Sequence, residues 1–459
     1  MKFLRSRKLD GWTRDRLLSR VLRNSSYLFA SNAIGAVLSI ITANLLGVTG
    51  FGVLGVMTSV VASINRLFSF RMGDVVVKYM GEALARSEPK HAAALVKAAM
   101  LVEALTSMAA FGFLALVAPF IATFIVEDPT ATPLLLLYGV SIIANIVTET
   151  STGVLQVTNH YRSQALINLL QSILVAGLVA AAAFNKGGLV SVLWAYLIGK
   201  IILGLGPTLL AFYWLPQVLG RGWIYAPMAM LPPRRELARF AISTNFSGTI
   251  NLIARDSEVF WAGVFFSPTV AGYFKTALAI ITLVVMPINP LISTTYPEIT
   301  RAYASRAWDR LRSLLQRITT VAAAWTFTVA LGLLLFGRQI LFQPWTFAGN
   351  TFQIYREEFL PALPVLMILL VGFGTANILF WNRPLLLAQG LAGYPLKVSF
   401  WAMVVKVLLM ILLLPWAGYL AEAALLSAYF VISVGLIVWR GLRQIRTAEG
   451  QANMRGEAV

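Results

Sequence analysis

The chain has no cysteine in 459 residues, which excludes disulfides, cysteine-ligated zinc and thiol nucleophiles. Histidine is almost as scarce, and His91 and His160 are too far apart in sequence to suggest a metal centre, so no metal or cofactor is expected. Charged residues make up only 12% of the chain against 58% hydrophobic, a balance that water-soluble domains do not show. Acids are the rarer sign, 19 against 37 Lys and Arg, leaving a net charge of +18. A surplus of that size would suit nucleic acid if it were gathered on one soluble face, but here it is scattered between apolar runs, so no nucleic-acid partner is expected. The chain also lacks a GxSxG elbow and a phosphate loop, which argues against a lipase or NTPase. Gly50-Phe51-Gly52-Val53-Leu54-Gly55 fits the dinucleotide pattern in letters, but it sits between two apolar runs and not in a βαβ unit.

What is present is a series of apolar stretches, each about the ~20 residues a spanning helix needs. Twelve are read: 25–47, 51–77, 95–120, 133–157, 164–184, 189–213, 240–265, 270–296, 314–338, 359–383, 395–415 and 419–440. The second is interrupted by Asn65, Arg66, Arg71 and Asp74, and the seventh by Arg255, Asp256 and Glu258. The expected fold is therefore an all-α integral membrane protein. No cleavable signal is seen, because basic residues run through 1–24; for that segment, an amphipathic surface helix and a disordered lead-in both stay open.

Basic residues in short loops are retained on the cytoplasmic side. The even-numbered connections carry Lys78, Arg86, Lys90 and Lys97, then Arg162, then Arg221, Arg234, Arg235 and Arg239, then Arg301, Arg306, Arg310, Arg312 and Arg317. The odd-numbered ones carry almost none, apart from Lys186 and the mixed ninth with Arg338, Arg356, Glu357 and Glu358. Arg440, Arg443, Arg446 and Arg455 follow the last span, so both termini are expected in the cytoplasm.

The turn Leu45–Leu54 can be laid over Phe265–Phe274, and Phe29-Ala30-Ser31-Asn32 over the start of the seventh span at Phe240–Asn245. Six spans separate the copies, an even number, so the halves would be related by a pseudo-twofold axis along the membrane normal. The expected organisation is a basic segment 1–24, a six-helix lobe 25–213, a basic proline-containing linker 214–239, a second six-helix lobe 240–440 and a tail 441–459.

Ionisable residues at membrane depth are costly unless they face a partner or a wet cavity. The candidates for a substrate cavity are Arg66, Arg71, Asp74, Lys78 and Glu149 in the first half and Arg255, Asp256, Glu258 and Lys275 in the second. Lys200, Arg383, Lys397 and Lys406 are further membrane cations, of which Lys200, Arg383 and Lys397 lie nearer predicted span ends, where they can snorkel. A cationic surplus suits an anionic group such as a pyrophosphate. For Arg71 with Asp74, spaced i and i+3, a mutually neutralising structural pair stays open. Pro287, Pro290 and Pro297 in the eighth span, and Gly372 and Gly374 in the tenth, are candidate flexing points, with static kinks equally open.

Leu46–Leu54, the following Arg71-Met72-Gly73-Asp74, and Asp256 with Phe260-Trp261-Ala262-Gly263 and Val270–Ala277 resemble bacterial polysaccharide flippases. Those belong to the multidrug/oligosaccharidyl-lipid/polysaccharide exporter superfamily. The resemblance implies a non-enzymatic transporter of the bacterial inner membrane. It would move a polyprenyl-pyrophosphate-linked oligosaccharide to the outer leaflet by alternating access, for cell-surface polysaccharide biosynthesis. Its partners would be the bilayer and that lipid-linked glycan, with glycan-assembly enzymes left open. A cation-coupled small-molecule antiporter and a membrane glycan polymerase or ligase are the alternatives.

Overall fold

The computed structural model describes residues 16–347 and 350–454. Residues 1–15, which hold much of the basic N-terminal segment, and 455–459 lie outside the described residues. The first helix, α1, runs Arg16–Phe68. At 1.5 Å per residue a straight helix of that length would reach about 80 Å, far beyond the ~30 Å of a bilayer core. It does not run straight, because Gly47 takes φ 70° and ψ 173°. That backbone region is open in practice only to glycine. The stretch therefore folds into the first two spans.

The helices that follow are α2 (Met72–Ala85), α3 (Pro89–Phe124), α4 (Thr132–Ala144), α5 (Thr148–Val157), α6 (Tyr161–Phe184), α7 (Leu189–Leu219) and α8 (Arg234–Asn251). A π turn, Leu252–Asp256, leads into α9 (Glu258–Phe265). Then come α10 (Pro268–Val285), α11 (Asn289–Ala304) and α12 (Trp308–Phe342). The last four are α13 (Ala362–Ile378), α14 (Asn382–Ala388), α15 (Gly393–Ala417) and α16 (Tyr419–Met454). Ten stretches among the described residues are long and apolar enough to cross a membrane. Counting α1 as two and adding the broken α8–α9 segment recovers the twelve spans. The fold is all-α apart from one element the sequence reading did not contain, a hairpin of β1 (Trp345–Phe347) and β2 (Asn350–Phe352) with Trp345 opposite Phe352.

Several spans are broken, and the breaks recur in order. The second span breaks between α1 and α2, where Arg71 adopts φ 50°, and the eighth between α10 and α11, where Pro287 stands in the gap. The fourth breaks between α4 and α5, and the tenth between α13 and α14. A repeat that preserves helix breaks as well as helices strengthens the reading of internal duplication.

The chain packs as two compact units. One comprises Ser26–Leu252 and Val259–Gly272; the other comprises Ile253–Glu258, the described residues from Tyr273 onward, and the start of α1 up to Ser25. The first is centred on Val76, Met80, Leu95, Val96, Val154 and Leu215, and the second on Ile299, Leu311, Leu315, Ala322 and Leu385. Large apolar side chains also point outward, among them Leu116, Leu334 and Trp416. Lipid is the solvent in which such a surface is stable.

The two turns that align in sequence touch each other within the first unit. Thr49 and Thr269, equivalent positions in the repeat, share a hydroxyl hydrogen bond of 2.9 Å. A Cβ on Gly52 would lie 1.7 Å from the carbonyl oxygen of Pro268, and one on Gly272 would lie 2.3 Å from that of Val48. Gly52 aligns with Gly272 and Val48 with Pro268, so each glycine rests on the partner turn's equivalent carbonyl. Reciprocity of this kind is what a twofold relation between two copies produces.

Candidate functional site

In the first unit the polar residues gather at the helix breaks. Arg71 ends the gap after α1, its backbone N–H donating to the Ser69 hydroxyl at 3.2 Å. Its Nε lies 3.1 Å from Asp74 Oδ2, and both side chains are about half exposed (46% each). Asn245 on α8 donates its amide to the carbonyl of Ser69. Glu149, in the first turn of α5, lies beside Ser69 and has Arg71, Asp74 and Arg66 as its charged neighbours. Arg66 in turn acts on Lys200. Four of the candidates, Arg66, Arg71, Asp74 and Glu149, thus share one electrostatic neighbourhood. Lys78 belongs to a different arrangement: its ammonium sits 4.4 Å over the Tyr79 ring and 4.7 Å over that of Phe240, while the Tyr79 hydroxyl donates to Glu236 at 3.0 Å. Cation–π contacts of this kind hold a lysine as part of the packing.

Glu103 on α3 organises this region and was not singled out from the sequence. It is buried, and its carboxylate accepts the backbone N–H groups of Glu149 at 2.8 Å and Thr150 at 2.9 Å. These are among the N–H groups that the start of a helix leaves without an internal partner, so Glu103 caps α5 from another helix. Asn65, Ser69, Glu103, Thr148 and Glu149 line a polar cavity of about 100 Å³ there. Glu103→Ala is expected to lower stability by about 1–3 kcal/mol, the penalty for orphaning buried donors, and Glu103→Gln by less because an amide oxygen still accepts. Thermal unfolding of the purified variants checks this, and an unchanged Tm for the alanine form would remove the capping role.

In the second unit the centre is a buried charge cluster. Lys406 on α15, 2% exposed, is ion-paired to Glu258, 0% exposed, at the start of α9. Its Nζ also donates to the carbonyl of Ala254 at 2.8 Å. That carbonyl belongs to the π turn, whose wider helical geometry takes it out of the regular ladder. Glu422 on α16, also fully buried, is electrostatically coupled to Glu258 and Lys406. Neither of its carboxylate oxygens has a hydrogen-bond partner among the described residues. Arg255 pairs with Asp256 at 3.2 Å, and Arg383 lies near Arg255 while donating to Ser399 at 3.3 Å. Lys275 on α10 has its Nζ buried. Of the second-half candidates, Glu258 enters the buried cluster and Arg255 with Asp256 forms a partly exposed pair on the turn beside it.

The first cluster presents accessible guanidinium groups, with Asp74 paired to Arg71 and Glu149 beside them, a set able to hold an anion. The second holds one lysine between two carboxylates, a set able to store or exchange charge inside the membrane.

Comparison with known proteins gives the context. Residues 21–303 match the family described as "Polysaccharide biosynthesis protein". The chain is 24% identical over 303 residues to inner membrane protein YghQ of Escherichia coli K12, covering 63% of this chain and 83% of that one. It is 22% identical over 240 residues to teichuronic acid biosynthesis protein TuaB of Bacillus subtilis 168, covering 52% of this chain and 45% of the other. Among solved structures, an inward-facing multidrug resistance MATE family transporter of the MOP superfamily superposes with a TM-score of 0.72 at 13% identity, over 92% of this chain and 96% of that one. A MOP superfamily transporter from Pyrococcus furiosus, whose binding pocket is described as having reverse polarity, superposes with a TM-score of 0.61 at 12% identity, over 94% and 96%. These structures establish the fold, and the match over more than half its length establishes that this multi-pass membrane chain belongs to the polysaccharide biosynthesis protein family.

Proposed function

We propose that the protein is a flippase that moves a polyprenyl-pyrophosphate-linked oligosaccharide from the cytoplasmic to the outer leaflet of the bacterial inner membrane, serving cell-surface polysaccharide assembly. The observation that carries this reading is membership of a polysaccharide biosynthesis family on a transporter fold. The two six-helix repeats, 25–213 and 240–440, act as the moving bodies of an alternating-access cycle, and both termini face the cytoplasm. Arg66 and Arg71, with Arg255 and Lys275, supply positive charge for the pyrophosphate, while Asp74, Glu149 and Asp256 hold the arginines in place before the substrate arrives. No bond of the glycan is made or broken in this cycle, so the protein is a transporter and not an enzyme.

The test is depletion of the protein in cells making labelled lipid-linked oligosaccharide, with the labelled pool assayed on the inner face of spheroplast membranes. Inner-leaflet accumulation, reversed by re-expression, is expected; an unchanged pool defeats the proposal. Arg255→Gln and Lys275→Gln are each expected to cut export roughly tenfold with membrane insertion intact, the scale of one lost charge-assisted hydrogen bond. Normal export by both single variants would remove these two residues from the headgroup site.

A second reading, a cation-coupled small-molecule antiporter, is favoured by one observation, the buried carboxylates Glu258 and Glu422. Altered drug or ion sensitivity with a normal lipid-linked pool would select it.

A further inference from the structure

We infer that the second unit carries a binding groove for an anionic phospholipid between the first turns of α12 and the basic turns of α16 beyond Trp439. The groove encloses about 420 Å³, with Leu315, Leu442, Ile445 and Trp381 on its apolar side and Arg312, Gln316, Thr320 and Arg446 on its polar side. This placement follows from the sequence of the two helices. The first turns of α12 are basic and polar, and the helix becomes apolar beyond Arg317; α16 runs the other way, apolar up to Trp439 and basic through Arg440, Arg443 and Arg446. The groove therefore straddles the level at which both helices leave the hydrocarbon. Trp381, otherwise part of the buried core, forms part of its wall there, its indole N–H tied to Thr319 at 2.8 Å.

The charges in the groove are unequal. Arg312 is engaged by Glu449 and lies 3.8 Å from Asp309. Arg446 is exposed and has no carboxylate partner among the described residues. A groove with one open guanidinium, a second partly neutralised, the Gln316 amide beside them and an apolar wall below fits a phosphodiester headgroup above with its glycerol and first acyl carbons beneath. Basic pockets between membrane helices on the cytoplasmic side are suited to anionic headgroups. The location of the groove on the cytoplasmic leaflet rests on the topology proposed above; the complementarity of the groove does not.

The test uses the purified full-length protein in nanodiscs of phosphatidylglycerol and phosphatidylcholine, with retained lipid counted by native mass spectrometry after detergent release. Wild-type protein is expected to retain phosphatidylglycerol preferentially. Arg446→Gln is expected to lower that preference roughly fivefold, the effect of one basic residue at an anionic surface, and Arg446→Lys to keep most of it. Arg446 is exposed, so its replacement leaves the packing intact, and an unchanged Tm would verify this. Equal retention of both lipids by the wild type, or full preference in Arg446→Gln, overturns the proposal. Retention of free inorganic phosphate in place of lipid overturns it as well, because it would make the groove a soluble-anion site. Lipid preference without any effect on export would separate this groove from the flippase reading.

Discussion

Gly52→Val is expected to cost the protein more stability than any replacement on its surface, and Gly272→Val nearly as much. Even the first carbon of a side chain at Gly52 would lie 1.7 Å from the Pro268 carbonyl oxygen and 2.8 Å from the backbone nitrogen of Gly272. Both obstacles are backbone, so no rotamer change relieves them and the two turns must separate. The predicted loss is about 3 kcal/mol, the upper end of what overpacking costs when it forces backbone movement, and the Thr49–Thr269 hydrogen bond goes with it. Melting of the detergent-purified protein, followed by fluorescence-detected gel filtration, measures this. Gly35→Ala and Gly112→Ala are the controls, since a Cβ at either position meets nothing within 4 Å. A Gly52→Val protein that melts with the controls would mean that the turns do not touch in the folded membrane protein. Because the contact is reciprocal, Gly52→Val and Gly272→Val combined should cost less than the sum of the two. Once the turns have been forced apart by one side chain, the second finds space already open.

The same contact shows how far the sequence could be read. The glycines and threonines of the two turns are visible as a repeat at Leu45–Leu54 and Phe265–Phe274, and twelve apolar runs separated by basic loops give the fold class. The two interrupted spans were legible as well: Asn65, Arg66, Arg71 and Asp74 mark the break before α2, and Arg255, Asp256 and Glu258 mark the π turn. That the repeated turns pack on each other was not legible, because alignment of two segments says nothing about their distance. Glu103 escaped for a related reason. A single acid in the span 95–120 carries no periodic signal, and its partners are backbone N–H groups of Glu149 and Thr150, which have no side-chain signature. Glu422 sits alone at the start of the last span in the same way, although a lone acid inside an apolar run is itself a cue worth following. Lys406 was visible as a membrane cation, but Glu258 is 148 residues away, and only folding joins them. The hairpin Trp345–Phe352 had a faint signal in Trp345-Thr346-Phe347 and Asn350-Thr351-Phe352, an alternation too short to stand out beside long helices.

Lys406→Met is expected to be the most damaging change in the second unit. The substitution is close in length and apolar, so it removes charge more than volume. It leaves Glu258 and Glu422 fully buried with no cation on the lysine's side, and a carboxylate deprived of its buried partner costs about 3–5 kcal/mol. It also strips the Ala254 carbonyl of its donor at the π turn, so the break in the seventh span loses its tie to α15. The predicted result is little protein in the membrane and a sharply lowered Tm for what remains. Charge, not shape, is the proposed cause, and the double variant Lys406→Met with Glu258→Gln separates the two. Neutralising both partners should recover a substantial part of the lost stability, since replacing a whole buried pair costs far less than breaking it. Glu422→Gln alone should fold, because it removes a negative charge from a site with two carboxylates and one lysine. That variant then bears on function without the confusion of misfolding. If Glu422 exchanges charge during transport, its glutamine form should export at a rate that no longer responds to a protonophore, while wild-type export falls. Continued protonophore sensitivity in Glu422→Gln would leave the triad with a purely structural role and would return the question of coupling to Asp74 and Glu149 in the first unit.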